Sequence, residues 1–172
     1  VITQHMPPLF TRLFAARLNK NSPLTVVEGT TGMRLEPGLV VIAPGDHHLL
    51  VTDDRGTLRV ATPQTPPENW CRPAVDVLFR SVASVFGSQV LACVLTGMGQ
   101  DGLRGCELLH AAGAEIVAQD EPTSIVWGMP GAVAAAGLAD RILPLPRIAP
   151  DLTAALRRGR KPSSPLSLGR RA

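Results

Sequence analysis

Five short runs dominated by Val, Ile and Leu, at residues 1–4, 24–28, 39–43, 89–95 and 114–118, alternate with stretches of helical period. Apolar runs of this length suit strands covered on both faces, and strands that alternate with helices build a mostly parallel sheet. The expected fold is α/β: a mostly parallel sheet with helices on both faces, a Rossmann-like three-layer sandwich. Helices are expected at residues 8–19, with Leu9, Leu13 and Phe14 on one stripe, and at 73–86, 102–112, 130–136 and 148–158. Residues 49–52 and 58–61 flank Asp53-Asp54-Arg55-Gly56, which reads as a β-hairpin. The stretch 62–72, with Pro63, Pro66 and Pro67, is the one long irregular connection, and such loops often carry function.

The fourth run leads into Gly97-Met98-Gly99-Gln100-Asp101-Gly102, which fits the spacing G-x-G-x-x-G of dinucleotide loops. Those loops point bare N–H groups and a positive helix end at a pyrophosphate, and a carboxylate immediately before the third glycine opposes that use. A P-loop is excluded on residue type, since no G-K-[ST] follows. Asp101 has two readings. It caps a helix starting at Gly102, or it stands at the carboxyl end of a parallel strand, where open sheets place their sites, and orients a histidine.

His5 is the partner the second reading needs, because it ends the first apolar run just before Met6-Pro7-Pro8 opens a helix, at the same edge of the sheet. His47 and His48 lack metal-site spacing and read as loop histidines. His110 falls on a helix surface, and Trp70 and Trp127 read as packing, with Trp70 also placed to line a cleft.

The formal charge of +3 suggests nucleic acid until the charges are located. Six of the 17 basic residues follow Asp151, and without them 11 basic face 14 acidic residues. The basicity belongs to a Pro-, Ser- and Arg-rich tail over residues 157–172, expected to be disordered. No tyrosine and few other aromatics leave little platform for base stacking, so no nucleic-acid partner is expected. Cys71, Cys93 and Cys106 are odd in number and scattered, which fits free thiols in a reducing cytosol. No apolar stretch approaches the roughly 18 residues of a membrane span, so no membrane insertion is expected either.

The runs VITQHMPPLFTRLFAARLN, GLVVIAPGDHHL, RPAVDVLFRSVA, VLTGMGQDGLRG and SIVWGMPGAV, in this order, resemble the catalytic domain of the CheB family, the chemoreceptor protein-glutamate methylesterases. The resemblance extends from Val1 to about Leu145. It implies a Ser-His-Asp triad in which His5 and Asp101 are the histidine and the acid, with the Met98 backbone N–H in the oxyanion hole. It implies no cofactor and no metal. The implied reaction is hydrolysis of glutamate methyl esters, with deamidation of glutamine by the same acyl chemistry, on methyl-accepting chemotaxis receptors in the cytoplasm. Trp70 and Arg72 are candidates for contacting the receptor.

The family serine, in an S-x-G-G turn upstream of the QHM strand, has no counterpart in these residues. Ser124 is the serine nearest to a site loop, but it is not read as the nucleophile. Residues 1–156 are accordingly expected to form the catalytic domain without its first strand and nucleophile turn, inactive alone, in a protein whose full length often includes a receiver domain. A non-catalytic receptor-binding module is the alternative, and a dinucleotide-binding protein stands behind both.

Overall fold

The computed structural model describes residues 1–158. In chain order its elements are α1 (Pro8–Asn21), β1 (Thr25–Glu28), β2 (Leu39–Ile42), β3 (Leu50–Asp54), β4 (Thr57–Ala61), α2 (Val75–Phe86), β5 (Leu91–Val94), α3 (Leu103–Ala111), β6 (Glu115–Gln119), α4 (Met129–Ala135), β7 (Arg141–Leu143) and α5 (Leu145–Arg158). The tail expected from residue 157 begins inside the last turn of α5, and from residue 159 on it lies outside the described residues.

The α/β alternation is as expected. β1 and β2 pair in parallel, and β5, β6 and β7 form a second parallel group with β6 in the middle. Ile116, Val117, Ala118 and Gln119 of β6 are fully buried, as suits a strand with neighbours on both edges. β7 escapes the sequence reading because three residues between Asp140 and Pro144 are too short to show a period. β3 and β4 are the expected antiparallel hairpin, turning at Arg55 and Gly56, both with positive φ.

The strand expected over residues 1–4 is a single parallel bridge. Ile2 donates its N–H to the Val41 carbonyl and accepts from the Ala43 N–H, both at 2.8 Å. Among the described residues only β2 flanks this segment, on the edge opposite β1. Two residues after His5, Pro7 and Pro8 supply no N–H for a ladder and turn the chain into α1.

The stripe expected on α1 is also displaced. Leu9 and Leu13 are more than half exposed, whereas Thr11 and Ala15 are buried and Phe14 and Leu18 pack beside Val26 and Ile42. The inward face is therefore 11, 14, 15 and 18, still at helical spacing. What turns the helix is the Thr11 hydroxyl. It accepts the Gly45 N–H at 3.0 Å and lies 2.6 Å from the Glu28 carboxylate.

The main core gathers Val41, Leu49, Leu78, Ala92, Val94, Cys106, Leu109, Ile116 and Val133. α2 and α3 approach closely because Gly105 faces Phe79: a Cβ at Gly105 would stand 2.5 Å from the Phe79 Cβ. That closeness brings the first turns of the two helices to one spot, beyond the carboxyl end of β5.

Candidate active site

The loop from β5 to α3 places Asp101 at this spot. Gly99 and Gly102 have φ of 85° and 94°, a conformation that costs glycine little and other residues more. Gly128 closes on the loop from the α4 side, and its Cβ would meet the Gly97 carbonyl oxygen at 2.6 Å and the Gly99 nitrogen at 2.8 Å.

Asp101 is 3% exposed and does not cap its own helix. Gly102 takes the cap position of α3 with no side-chain bond. The carboxylate instead receives the first amides of α2: Val75 N–H donates to Oδ2 at 2.6 Å and Asp76 N–H to Oδ1 at 3.1 Å. The α2 side returns the contact, since Asp76 Oδ1 accepts the Gly105 N–H of α3 at 2.7 Å. Each helix thus has an unpaired N-terminal amide satisfied by an acid of the other, where the helix dipole also favours negative charge. Two carboxylates at these helix starts, one of them inside the glycine loop, oppose a pyrophosphate there, so the dinucleotide reading loses its physical basis.

Asn69 ties the two acids together, its Nδ2 donating to Asp101 Oδ1 at 2.8 Å and to Asp76 Oδ2 at 2.7 Å. The fourth donor on Asp101 is His5, whose Nε2 lies 2.7 Å from Oδ2 across 96 residues of sequence. Burial pushes the Asp101 carboxyl up, but the hydrogen bonds from His5, Val75, Asp76 and Asn69 outweigh it and hold the group below the usual carboxylate range. An ionised Asp101 accepts the proton on Nε2, which leaves Nδ1 as the basic nitrogen of His5. Among the described residues nothing hydrogen-bonds to Nδ1. His5 sits in coil between the Ile2 bridge and α1, with 29% of its side chain exposed.

The rim is built by the Pro-rich connection. Glu68 and Cys71 exchange backbone hydrogen bonds at 3.1 and 2.8 Å, and the two residues between them, Asn69 and Trp70, both have positive φ, at 52° and 63°. Such a turn is easy for Asn and unfavourable for Trp. It aims Asn69 inward and leaves Trp70 fully exposed. Cys71 follows on the inner side, and burial with the nearby Asp101 carboxylate pushes its thiol up. Arg72 donates to Asp46 Oδ1 from Nε and Nη2, at 3.0 and 2.5 Å, and from Nη1 to the Thr65 carbonyl, so its guanidinium is engaged in holding the loop. That guanidinium keeps the Asp46 carboxyl below its ordinary range.

Of the residues singled out in the sequence, His5, Asp101, Met98 and Trp70 therefore gather at one end of the sheet. The Met98 N–H has no acceptor among the described residues, and the side chain is 83% exposed. Ser124 points elsewhere, donating to the Asp120 carbonyl at 2.7 Å. No described serine hydrogen-bonds His5. Cys71, Cys93 and Cys106 are free thiols. His48 proves to be scaffold, completely buried, with Nδ1 accepting the Ala74 N–H and Nε2 bonded to the Pro66 carbonyl. Asn69 and Asp76 were not singled out. An acid inside the apolar run VDVLF is the trace Asp76 leaves in the sequence, and an Asn entering a Pro-bounded turn is the trace of Asn69.

Comparison with known proteins follows the same residues. A family model described as CheB methylesterase matches residues 1–152. Protein-glutamate methylesterase/protein-glutamine glutaminase of a Nocardioides species is 57% identical over 159 residues, covering 92% of this chain and 43% of that protein. The protein of the same name from Trichodesmium erythraeum is 50% identical over 152 residues, covering 88% of this chain and 43% of the relative. The chain thus spans less than half the length of these relatives. The crystal structure of the Thermotoga maritima CheB methylesterase catalytic domain superimposes with a TM-score of 0.86 at 39% identity, covering 89% of this chain and 81% of that one. With nearly the whole body of the chain matched in sequence and in three dimensions, this protein belongs to the CheB methylesterase family.

Proposed function

We propose that this chain supplies the general base, its orienting acid and an oxyanion donor of a protein-glutamate methylesterase acting on cytoplasmic helices of chemoreceptors, with glutamine deamidation by the same route. The observation that carries this reading is the 2.7 Å contact between His5 and a buried, fully hydrogen-bonded Asp101. The nucleophile is a serine hydroxyl from outside the 172 residues, approaching His5 Nδ1. Its oxygen attacks the ester carbonyl while the proton passes to Nδ1, and Asp101 stabilises the imidazolium. The Met98 N–H faces the developing oxyanion. His5 then protonates the departing methanol, and water repeats the sequence in reverse to release glutamate. No cofactor enters these steps.

Two chain edges beside the site have no strand partner among the described residues. β5 pairs with β6 on one edge, and the Ile2 segment pairs with β2 on one edge, while the carboxyl ends of both converge on the His5–Asp101 contact. A strand entering between them would deliver its last residue beside His5. The remaining length of the relatives is the proposed location of a receiver domain. Among the described residues no helix is long and apolar enough to cross a membrane.

The test uses the full-length gene product and receptor membranes carrying labelled methyl esters. His5→Ala should lower methanol release by about 10⁴-fold or more, the scale on which a triad fails without its base. A variant within tenfold of wild type refutes the assignment. Trp70, exposed at the tip of its turn, is proposed as the receptor anchor. Truncating an interface anchor of this kind costs roughly 30-fold in affinity. Trp70→Ala should therefore raise KM for receptor membranes by about that factor, leaving hydrolysis of a small glutamate methyl ester unchanged. Equal loss on both substrates refutes the anchor.

A further inference from the structure

We propose that His5, Cys71 and Asp101 form a zinc-binding site that takes the His5–Asp101 pair out of action. An imidazole nitrogen, a thiol sulfur and a carboxylate oxygen lie within 4.8 Å of one another, the one such trio among the described residues. This is a donor set that zinc accepts, with its fourth position left for water. Zinc holds nitrogen and oxygen at ~2.0–2.2 Å and sulfur at ~2.3 Å, which sets tetrahedral donors about 3.4–3.6 Å apart. The 2.7 Å contact between His5 and Asp101 must open by about 0.7 Å, and no donor pair, all lying within 4.8 Å, needs to close by more than about 1.4 Å.

The groups that must move are those free to do so. His5 is partly exposed and lies in coil, whereas Asp101 is fixed by three donors that stay in place when His5 shifts. Those donors supply the outer layer of hydrogen bonds that orients a metal-binding carboxylate. Cys71 is presented by the Glu68–Cys71 turn, one residue beyond Trp70 and two beyond Asn69, which already grips Asp101.

The exchange balances. Zinc replaces the proton between Nε2 and Oδ2, turning N–H···O into N–Zn–O. The imidazole keeps one proton, which moves to Nδ1, and the Cys71 thiol releases one proton to solvent as its thiolate binds. On the catalytic assignment given above, this disables the base twice over: Nε2 is tied to metal and Nδ1 can no longer accept a hydroxyl proton.

The binding experiment needs no catalysis and uses the reduced 172-residue protein. Cobalt(II), a spectroscopic substitute for zinc, should give one equivalent with a sulfur-to-cobalt charge-transfer band, and zinc should displace it. Cys71→Ser should abolish the band and weaken zinc binding, measured against a chromophoric chelator, by at least about tenfold, the low end of what loss of even an outer-layer partner costs. His5→Gln should weaken it similarly while keeping the band at saturation. Cys71→Ala replaces the serine variant if that does not melt like wild type. Absence of the band in wild type, or wild-type zinc affinity in the Cys71 and His5 variants, overturns the site. In the full-length gene product, zinc should halt methanol release. Cys71→Ser should run at the wild-type rate without metal and need at least about tenfold more zinc for inhibition. Tight binding without inhibition overturns the regulatory role and leaves the esterase assignment standing, whereas failure of His5→Ala to matter overturns the esterase assignment and the inhibition that rests on it, and leaves the metal site to the cobalt measurement.

Discussion

Asp101→Asn in the full-length gene product is expected to lower methanol release by about 10⁴-fold, the loss seen when a triad acid becomes an amide. The reason lies in the four donors around the carboxylate. Val75 N–H and His5 Nε2 address one oxygen, Asn69 Nδ2 and Asp76 N–H the other. An amide can accept on only one of these sides. If its NH₂ turns to His5, it donates to Nε2, the imidazole proton moves to Nδ1, and the base faces the serine in the wrong tautomer. If its NH₂ turns the other way, it meets two donors from Asn69 and Asp76. Each buried donor left without an acceptor costs ~1–3 kcal/mol. The variant should therefore also melt earlier, and thermal unfolding of the 172-residue chain checks that arm separately from the rate. A rate near wild type in a folded Asp101→Asn protein would falsify the role given to the acid.

The second large effect is expected from steric crowding alone. A Cβ on Gly45 would stand 2.3 Å from the Pro8 nitrogen, 2.5 Å from the Pro7 carbonyl carbon and 2.6 Å from the Pro8 Cα. All three are backbone atoms, and a Pro-Pro pair has little freedom to move aside. Gly45→Ala should push the Pro7–Pro8 corner outward and stretch the Gly45 N–H bond to Thr11. Overpacking a well-filled site costs ~1–3 kcal/mol, and contact with backbone belongs at the top of that range. For a chain of this size about 3 kcal/mol corresponds to a fall in Tm of roughly 6–12 °C. His5 is attached two residues before Pro7, and in the base role proposed for it a misplacement of 1 Å costs about 10²-fold in rate. A Gly45→Ala protein with unchanged Tm and rate would show that the corner is not what positions His5.

The alternation of strands and helices was legible because buried parallel strands leave continuous Val, Ile and Leu runs. The His5–Asp101 pair was legible because His5 ends one such run and Asp101 lies in the loop that follows another, at the carboxyl side of the sheet. What the sequence concealed depends on contacts between distant segments. Asp101 looks like the cap of the helix that follows it, and only the close approach of Gly105 to Phe79 makes it the cap of α2 instead. Thr11 looks polar and outward, yet bonds to Glu28 and Gly45 draw it inside and leave Leu9 and Leu13 outside. His48 looks like a loop histidine until Pro66 and Ala74 are seen to close around it. The Ile2 segment shows strand composition, but pairing on one edge and the prolines beyond it leave one bridge.

Asp101 and Asp76 start each other's helices, and this has an evolutionary corollary. A lineage that had abandoned hydrolysis would still need Asp101 to keep α2 anchored, so selection should preserve the acid long after turnover has gone. The GMGQDG run is for that reason a signature of architecture first, and its survival in a genome says little about whether the descendant cleaves anything.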